Sequence, residues 1–154
     1  MGTVEEISQA RHPSLERLLD YWHRVRGARR LPARRDLDPL DFPYILGNVA
    51  LIEVREAATR YRVRLYGTRL VAWLGHDLTG KTLDECPDPE FSRLVADAGD
   101  LAVAEGGPHW DRFSWQRDDD MRSCEALLLP LADDGLNVDM LLLALIGDGG
   151  EGPG

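Results

Sequence analysis

Residues Gly75 to Thr82 read Gly-His-Asp-Leu-Thr-Gly-Lys-Thr, which satisfies the phosphate-loop pattern Gly-x4-Gly-Lys-Ser/Thr. In such a loop backbone amides cradle a nucleotide phosphate, Lys81 would reach its outer phosphates and Thr82 would hold magnesium. The chemistry needs a buried strand before the motif and a helix opening at its Lys-Thr. Neither is legible here. Before Gly75 the apolar residues fall at Leu70, Val71, Trp73 and Leu74, the rhythm of a short helix. After Thr82 come Pro87 and Pro89, which break any helix begun at Lys81. The expectation is an accidental match, with Lys81 and Thr82 not phosphate ligands, so a nucleotide-dependent enzyme is only an alternative reading.

The remaining reactive residues are scattered. His12, His23, His76, His109, Cys86 and Cys124 show no Cys-x-x-Cys or His-x-x-x-His spacing, and no metal or haem is expected on them. His76, in the Gly75-His76-Asp77 turn, is the best single candidate for an axial ligand, against the plainer reading of an exposed turn residue. Cys86, before Pro87, could serve as a redox thiol, but nothing close in sequence lowers its pKa. Asp118-Asp119-Asp120 reads as an acidic hairpin tip more simply than as a cation site. No Ser-His-Asp, Cys-His or paired-acid arrangement follows from spacing, so no catalytic residue and no cofactor is assigned.

The elements that must position these residues follow from periodicity. Pro13 to Arg26 predicts a helix with the stripe Leu15, Leu18, Leu19, Trp22 and Val25, stopped at Gly27. An irregular connector holds Pro32 and Pro39, and Leu40 to Leu46 suggests a turn or two of helix. Val49 to Val54 and Tyr61 to Tyr66 predict a hairpin, and broken helix runs from Thr68 to about Glu85. Pro89 to Glu105 predicts a long helix ended by Gly106-Gly107-Pro108. Three strands come after it, at Trp110 to Gln116, Ser123 to Leu131 and Leu136 to Ile146. The domain plan is residues 1–12 as a flexible start, 13–146 as one domain and 147–154 as a disordered Gly-rich tail.

Size and charge limit the possible partners. The 154 residues suit one domain with one substantial core. A net charge of −9 argues against general nucleic-acid binding. The charge is uneven, because residues 1–35 carry eight Arg and four acids. That basic start reads as the solvated side of an amphipathic helix and its exit. No apolar run reaches the length of a membrane span, and Met1-Gly2-Thr3-Val4-Glu5-Glu6 lacks the basic and apolar regions of a signal peptide, so a cytoplasmic protein with free thiols is expected.

Several motifs occur in order along the chain. They are Leu19-x-Tyr21-Trp22, Leu31-Pro32-x-Arg34-x-Asp36-x-Asp38-Pro39, Leu46, and Tyr61-Arg62-x-Arg64-Leu65-x-Gly67-Thr68. They continue with Gly75-x-Asp77-Leu78-Thr79-Gly80-Lys81 and Leu129-Pro130-Leu131. From about Leu15 to Ile146 the chain resembles the PAS domains, and most closely a small stand-alone PAS family of proteobacteria. The resemblance implies an α+β fold, a PAS-like five-stranded antiparallel sheet with helices on one face. It also makes the Gly75 to Lys81 segment a linker between short helices. The function it implies is a non-enzymatic sensory or signalling module for small molecules, partner proteins or both; a protein binding a small apolar or aromatic metabolite is the alternative.

PAS pockets lie between the inner face of the sheet and the helices, so pocket candidates are Val63, Leu65, Trp73, Leu94, Ala98, Leu101, Phe113 and Trp115. Alternation places Tyr61, Val63 and Leu65 on one face, and small residues such as Ala98 and Gly99 leave room for a cavity. Leu127 to Leu131 and Met140 to Ile146 are apolar on both faces. Their outer side calls for the N-terminal helix on the opposite face from the other helices, a second subunit, or both. Leu15, Leu18, Leu19 and Trp22 are therefore the dimer-interface candidates. A homodimer, an unidentified signalling partner and a small-molecule ligand are the expected partners, without nucleic acid or membrane.

Overall fold

The computed structural model describes residues 11–148. The expected flexible start up to residue 10 and the tail from residue 149 lie outside them. Helix α1 (Pro13–Arg26) begins where Pro13 occupies the first turn and the His12 ring accepts from the Ser14 amide. Short 3-10 turns at Arg34–Asp36, Pro39–Asp41 and Leu46–Asn48 carry the chain to β1 (Val49–Val54) and β2 (Tyr61–Tyr66). Helix α2 (Thr68–Leu74) ends at Gly75, whose φ of 82° is the left-handed stop. A 3-10 turn at Leu83–Glu85 leads to α3 (Pro89–Glu105), capped by the Asp88 carboxylate on the Phe91 amide. Strands β3 (His109–Arg117), β4 (Asp120–Leu131) and β5 (Met140–Gly147) complete the fold.

The five strands form one sheet of order β2-β1-β5-β4-β3, with every neighbouring pair antiparallel. β4 and β5 lie inside it, which is why they are apolar at consecutive positions. Cys124, Ala126 and Leu128 of β4 join Leu141, Leu143 and Leu145 of β5 in an inner core beneath α2 and α3. Leu127, Leu129 and Leu131 join Leu142, Ala144 and Ile146 in an outer core beneath α1. Each set alternates with the other, as a strand buried on both sides requires.

α1 lies on the outer face. Leu15, Leu18, Tyr21 and Trp22 are buried there, and the Trp22 indole donates to the Pro130 carbonyl at 2.9 Å. The stripe named for a dimer interface thus has its apolar surface against its own sheet: Leu15, Leu18 and Trp22 are closed off, and Leu19 is half-buried. Glu125 holds the start of this helix by accepting from the His12 amide and from the Trp110 indole.

Several boundaries differ from the sequence reading. Leu136 to Asp139 is not strand, because Asp134 Oδ1 accepts from the Leu136 and Asn137 amides and folds them into a turn. Broken helix from Thr68 resolves into α2, an irregular stretch and a single 3-10 turn. Gly147, expected in the tail, is instead the last residue of β5, paired with Cys124, and the Asp148 amide donates to the Ser123 carbonyl.

Candidate functional site

The phosphate-loop match closes on itself. The Thr79 amide donates to Asp77 Oδ1 at 3.0 Å, the Gly80 amide to the Val63 carbonyl at 2.8 Å, and the Lys81 amide to the Leu78 carbonyl at 2.8 Å. The Thr82 amide donates to Glu85 Oε1 at 2.9 Å. All four amides that would face a phosphate are already satisfied, and a helix rather than a strand precedes the loop. The loop leads into the three-residue turn Leu83–Glu85, held by a Thr82–Glu85 capping box. The segment's work is structural: it pairs along the free edge of β2, with Thr82 bridged to Arg62.

The segment's histidine sits in a polar cluster that sequence spacing did not show. His76 is stacked on Tyr66 at a centroid distance of 5.8 Å and tilted against Phe91 at 6.1 Å. Its Nε2 lies 3.1 Å from Tyr66 Oη and 3.9 Å from Cys86 Sγ. Its Nδ1 is buried without a hydrogen-bond partner among the described residues. Burial, and secondarily the Arg117 guanidinium, push the His76 pKa below the ordinary histidine value. Burial pushes the Cys86 and Tyr66 groups the other way, so the thiol and the phenol stay protonated. Cys86 therefore lacks the thiolate character of a reactive cysteine. His76 is neither a free turn residue nor an isolated one.

Asp88 organises the same end of the core. It is buried, caps α3, and accepts a hydrogen bond from the Trp115 indole at 2.8 Å, with Arg117 Nε 3.9 Å away. Arg117 also donates to the Leu74 carbonyl, and Arg122 to the Trp73 carbonyl at 2.6 Å. Two arginines of the β3–β4 hairpin thus bind the C-terminal carbonyls of α2, where a helix has acceptors to spare.

The inner-face pocket candidates divide. Val63, Ala98, Phe113 and Trp115 are buried in the inner core, with Trp73 and Leu94 at its margin. Leu65 and Leu101 are not there, being 46% and 47% exposed. For Leu65 the cause is a β-bulge: Leu51 pairs with Leu65 but Ile52 with Val63, leaving Arg64 as the extra residue. The bulge reverses the alternation, turning Leu65 outward and bringing Tyr66 inside. For Leu101, the buried side of α3 runs through Phe91, Val95, Ala98 and Ala102, and Leu101 lies off that line. Nor does Gly99 leave a gap. A Cβ there would stand 3.1 Å from the Tyr61 ring and 3.3 Å from Leu141. Phe91 against Trp115 at 5.0 Å, and Trp115 against Trp73 at 6.2 Å, occupy the neighbouring space.

Sequence reasoning missed Tyr66, Asp88, Phe91 and Arg117. Asp88-Pro89 was legible as a helix cap, but its second role, toward Trp115, depends on strand β3 arriving beside it. Surface clefts of about 1040 Å³ (beside Val54, Val103 and Val138), 680 Å³ and 550 Å³ border the core. The cleft of about 550 Å³ lies between α3 and the start of β2, with Cys86, Ser92, Arg93 and Ala96 in its wall. That of about 680 Å³ lies on the outer face beside Leu51, Leu65 and Met140, rimmed by Arg34, Arg55 and Arg64.

A five-stranded antiparallel sheet with a long helix crossing one face is the α+β architecture of PAS and light-oxygen-voltage sensory domains. A family model described as PAS domain matches residues 10–146, and the chain belongs to that family. Among solved structures it is similar to the PAS domain of BvgS from Bordetella pertussis, at 16% identity and a TM-score of 0.51 over 66% of this chain and 76% of that one. The light-state LOV domain of the blue-light photoreceptor Aureochrome1 is similar at 12% identity and a TM-score of 0.51, over 68% of this chain and 84% of that one. A LOV protein of Rhodobacter sphaeroides is similar at 16% identity and a TM-score of 0.50, over 67% of this chain and 60% of that one. These likenesses show the fold. A search of curated proteins gives no match. PAS domains are typically sensory and signalling modules, and the family is in general non-enzymatic. Among the described residues no helix is long and apolar enough to cross a membrane.

Proposed function

We propose that this PAS domain is a non-enzymatic signalling module that works by association, with a second copy of the chain as its first partner. The observation that carries the reading is Leu65. The bulge in β2 turns this leucine outward, beside a groove of about 680 Å³ on the part of the outer face that α1 leaves open. The rim mixes Arg34, Arg55 and Arg64 with Glu53, Asp133 and Asp139, so two copies related by a two-fold axis can set arginine against carboxylate on both sides. The inner face supports the same choice, because Phe91, Phe113 and Trp115 are buried in the core between helices and sheet.

A second reading is sensing of a small metabolite in the cleft of about 550 Å³ between α3 and β2. It is favoured by that cleft's reach to Cys86, 3.9 Å from His76. Native mass spectrometry of the full chain purified from its own host separates the two, since it weighs subunits and retained small molecules together. A dimer that Leu65→Asp converts to folded monomer supports association. A wild-type monomer at high concentration refutes it, and a retained stoichiometric small mass moves the assignment to the cleft.

A further inference from the structure

Residues Gly80 to Thr82 lie on the free edge of β2, the outermost strand of the sheet. The Val63 amide donates to the Lys81 carbonyl and the Gly80 amide to the Val63 carbonyl, both at 2.8 Å. An uncovered edge offers unpaired backbone groups to any other strand, so the segment acts as an edge cover. Near its start stands His76, wedged between Tyr66 and Phe91. We infer that His76 pins this cover as a proton-operated latch: the neutral ring holds residues 75–82 against β2, and the imidazolium loosens them.

Hydrogen-bond partners set the preference for the neutral ring. A neutral imidazole carries one N–H, and Nε2 shares a hydrogen bond with Tyr66 Oη at 3.1 Å. An imidazolium has two N–H donors, and Nδ1 is buried with no acceptor among the described residues. The surrounding charges only partly relieve this: Asp88 and Asp77 favour the imidazolium, but less than burial and Arg117 oppose it. From β3, Arg117 faces the ring with like charge. From the cap of α3, Asp88 is already held by the Trp115 indole, the Phe91 amide and Arg117. Within the segment, Asp77 Oδ1 accepts from both the amide and the hydroxyl of Thr79. Tyr66 of β2 and Cys86, ahead of α3, are neutral groups whose own burial opposes ionisation.

The direction of the effect follows from linkage. A histidine whose folded pKa lies below its free value binds the proton more weakly in the closed state. Closure is therefore complete above the free value, about 6.5, and is lost progressively as pH falls toward the depressed one. The latch is independent of the association surface around Leu65.

The test is amide hydrogen exchange by nuclear magnetic resonance on the full chain between about pH 7.5 and pH 5, corrected for intrinsic exchange, with the histidine rings titrated in parallel. Protection of the Val63 and Gly80 amides should fall, relative to Leu143 of β5, by about tenfold per pH unit between the free and the depressed value. The midpoint should follow the His76 ring. His76→Phe keeps a stacked ring and removes the proton, so its protection should not change with pH. Constant wild-type protection across the range, or an equal loss in His76→Phe, overturns the latch. Should His76→Phe not fold, the wild type decides alone: loss of protection that tracks His76 supports the latch, and loss that tracks another group overturns it.

Discussion

Replacing Trp22 with phenylalanine tests whether α1 is a structural half of the outer core or an accessory laid upon it. Leu15 and Leu18 are fully buried, and Tyr21 and Trp22 are each 3% exposed. At about 1.5–3 kcal/mol per buried large apolar side chain, the stripe contributes on the order of 6–12 kcal/mol, an upper estimate because unfolded chains also bury surface. That is comparable with the whole net stability of a domain, about 5–15 kcal/mol. Trp22→Phe keeps an aromatic ring but removes the donor to the Pro130 carbonyl, a buried bond of 2.9 Å. The carbonyl is buried in an interior strand, so the unmade bond costs about 1–3 kcal/mol. The lost ring volume adds about 1 kcal/mol or more. Urea unfolding should place Trp22→Phe about 2–4 kcal/mol below the wild type, with an unchanged m-value. Deleting residues 1–26 should leave a chain that aggregates through Leu127, Leu129 and Leu142. A Trp22→Phe protein within about 0.5 kcal/mol of the wild type, with a soluble and equally stable deletion, would refute the reasoning.

Two further outcomes are expected. Gly67→Ala should destabilise the domain by about 3 kcal/mol or more, because a Cβ there would stand 2.2 Å from the Gly47 carbonyl oxygen, a backbone atom that cannot swing aside; thermal unfolding reads this, and a wild-type midpoint contradicts it. Calorimetry of ATP or GTP with magnesium should show no saturable binding, since the amides of Thr79 to Thr82 are engaged within the chain; micromolar binding abolished by Lys81→Ala would restore the phosphate-loop reading.

Local signals in the sequence carried much of this architecture. Pro13 and Gly27 bracket α1, Pro89 and Gly106 bracket α3, and the boundaries expected from them coincide with the structure. The strands Val49–Val54 and Tyr61–Tyr66 coincide as well. The two-faced apolarity of β4 and β5 announced a sheet covered on both sides, because consecutive side chains of a strand point in opposite directions. The prolines after Thr82 were enough to discount the phosphate motif, for a helix cannot continue through them.

Tertiary structure decided the rest, wherever a contact joins residues far apart in the chain. The bulge at Arg64 arises from pairing with β1, and without it Leu65 reads as inner and Tyr66 as outer. The space beside Gly99 reads as a cavity until Tyr61, from another element, fills it. His76 and Cys86 each look solitary along the chain, yet the turn between α2 and α3 brings them within 3.9 Å of one another. β3 then sets Arg117 beside them and Trp115 against Asp88. Periodicity reports which way a side chain points relative to its own element. It holds no information about what the other elements place opposite, and that juxtaposition is what makes the site.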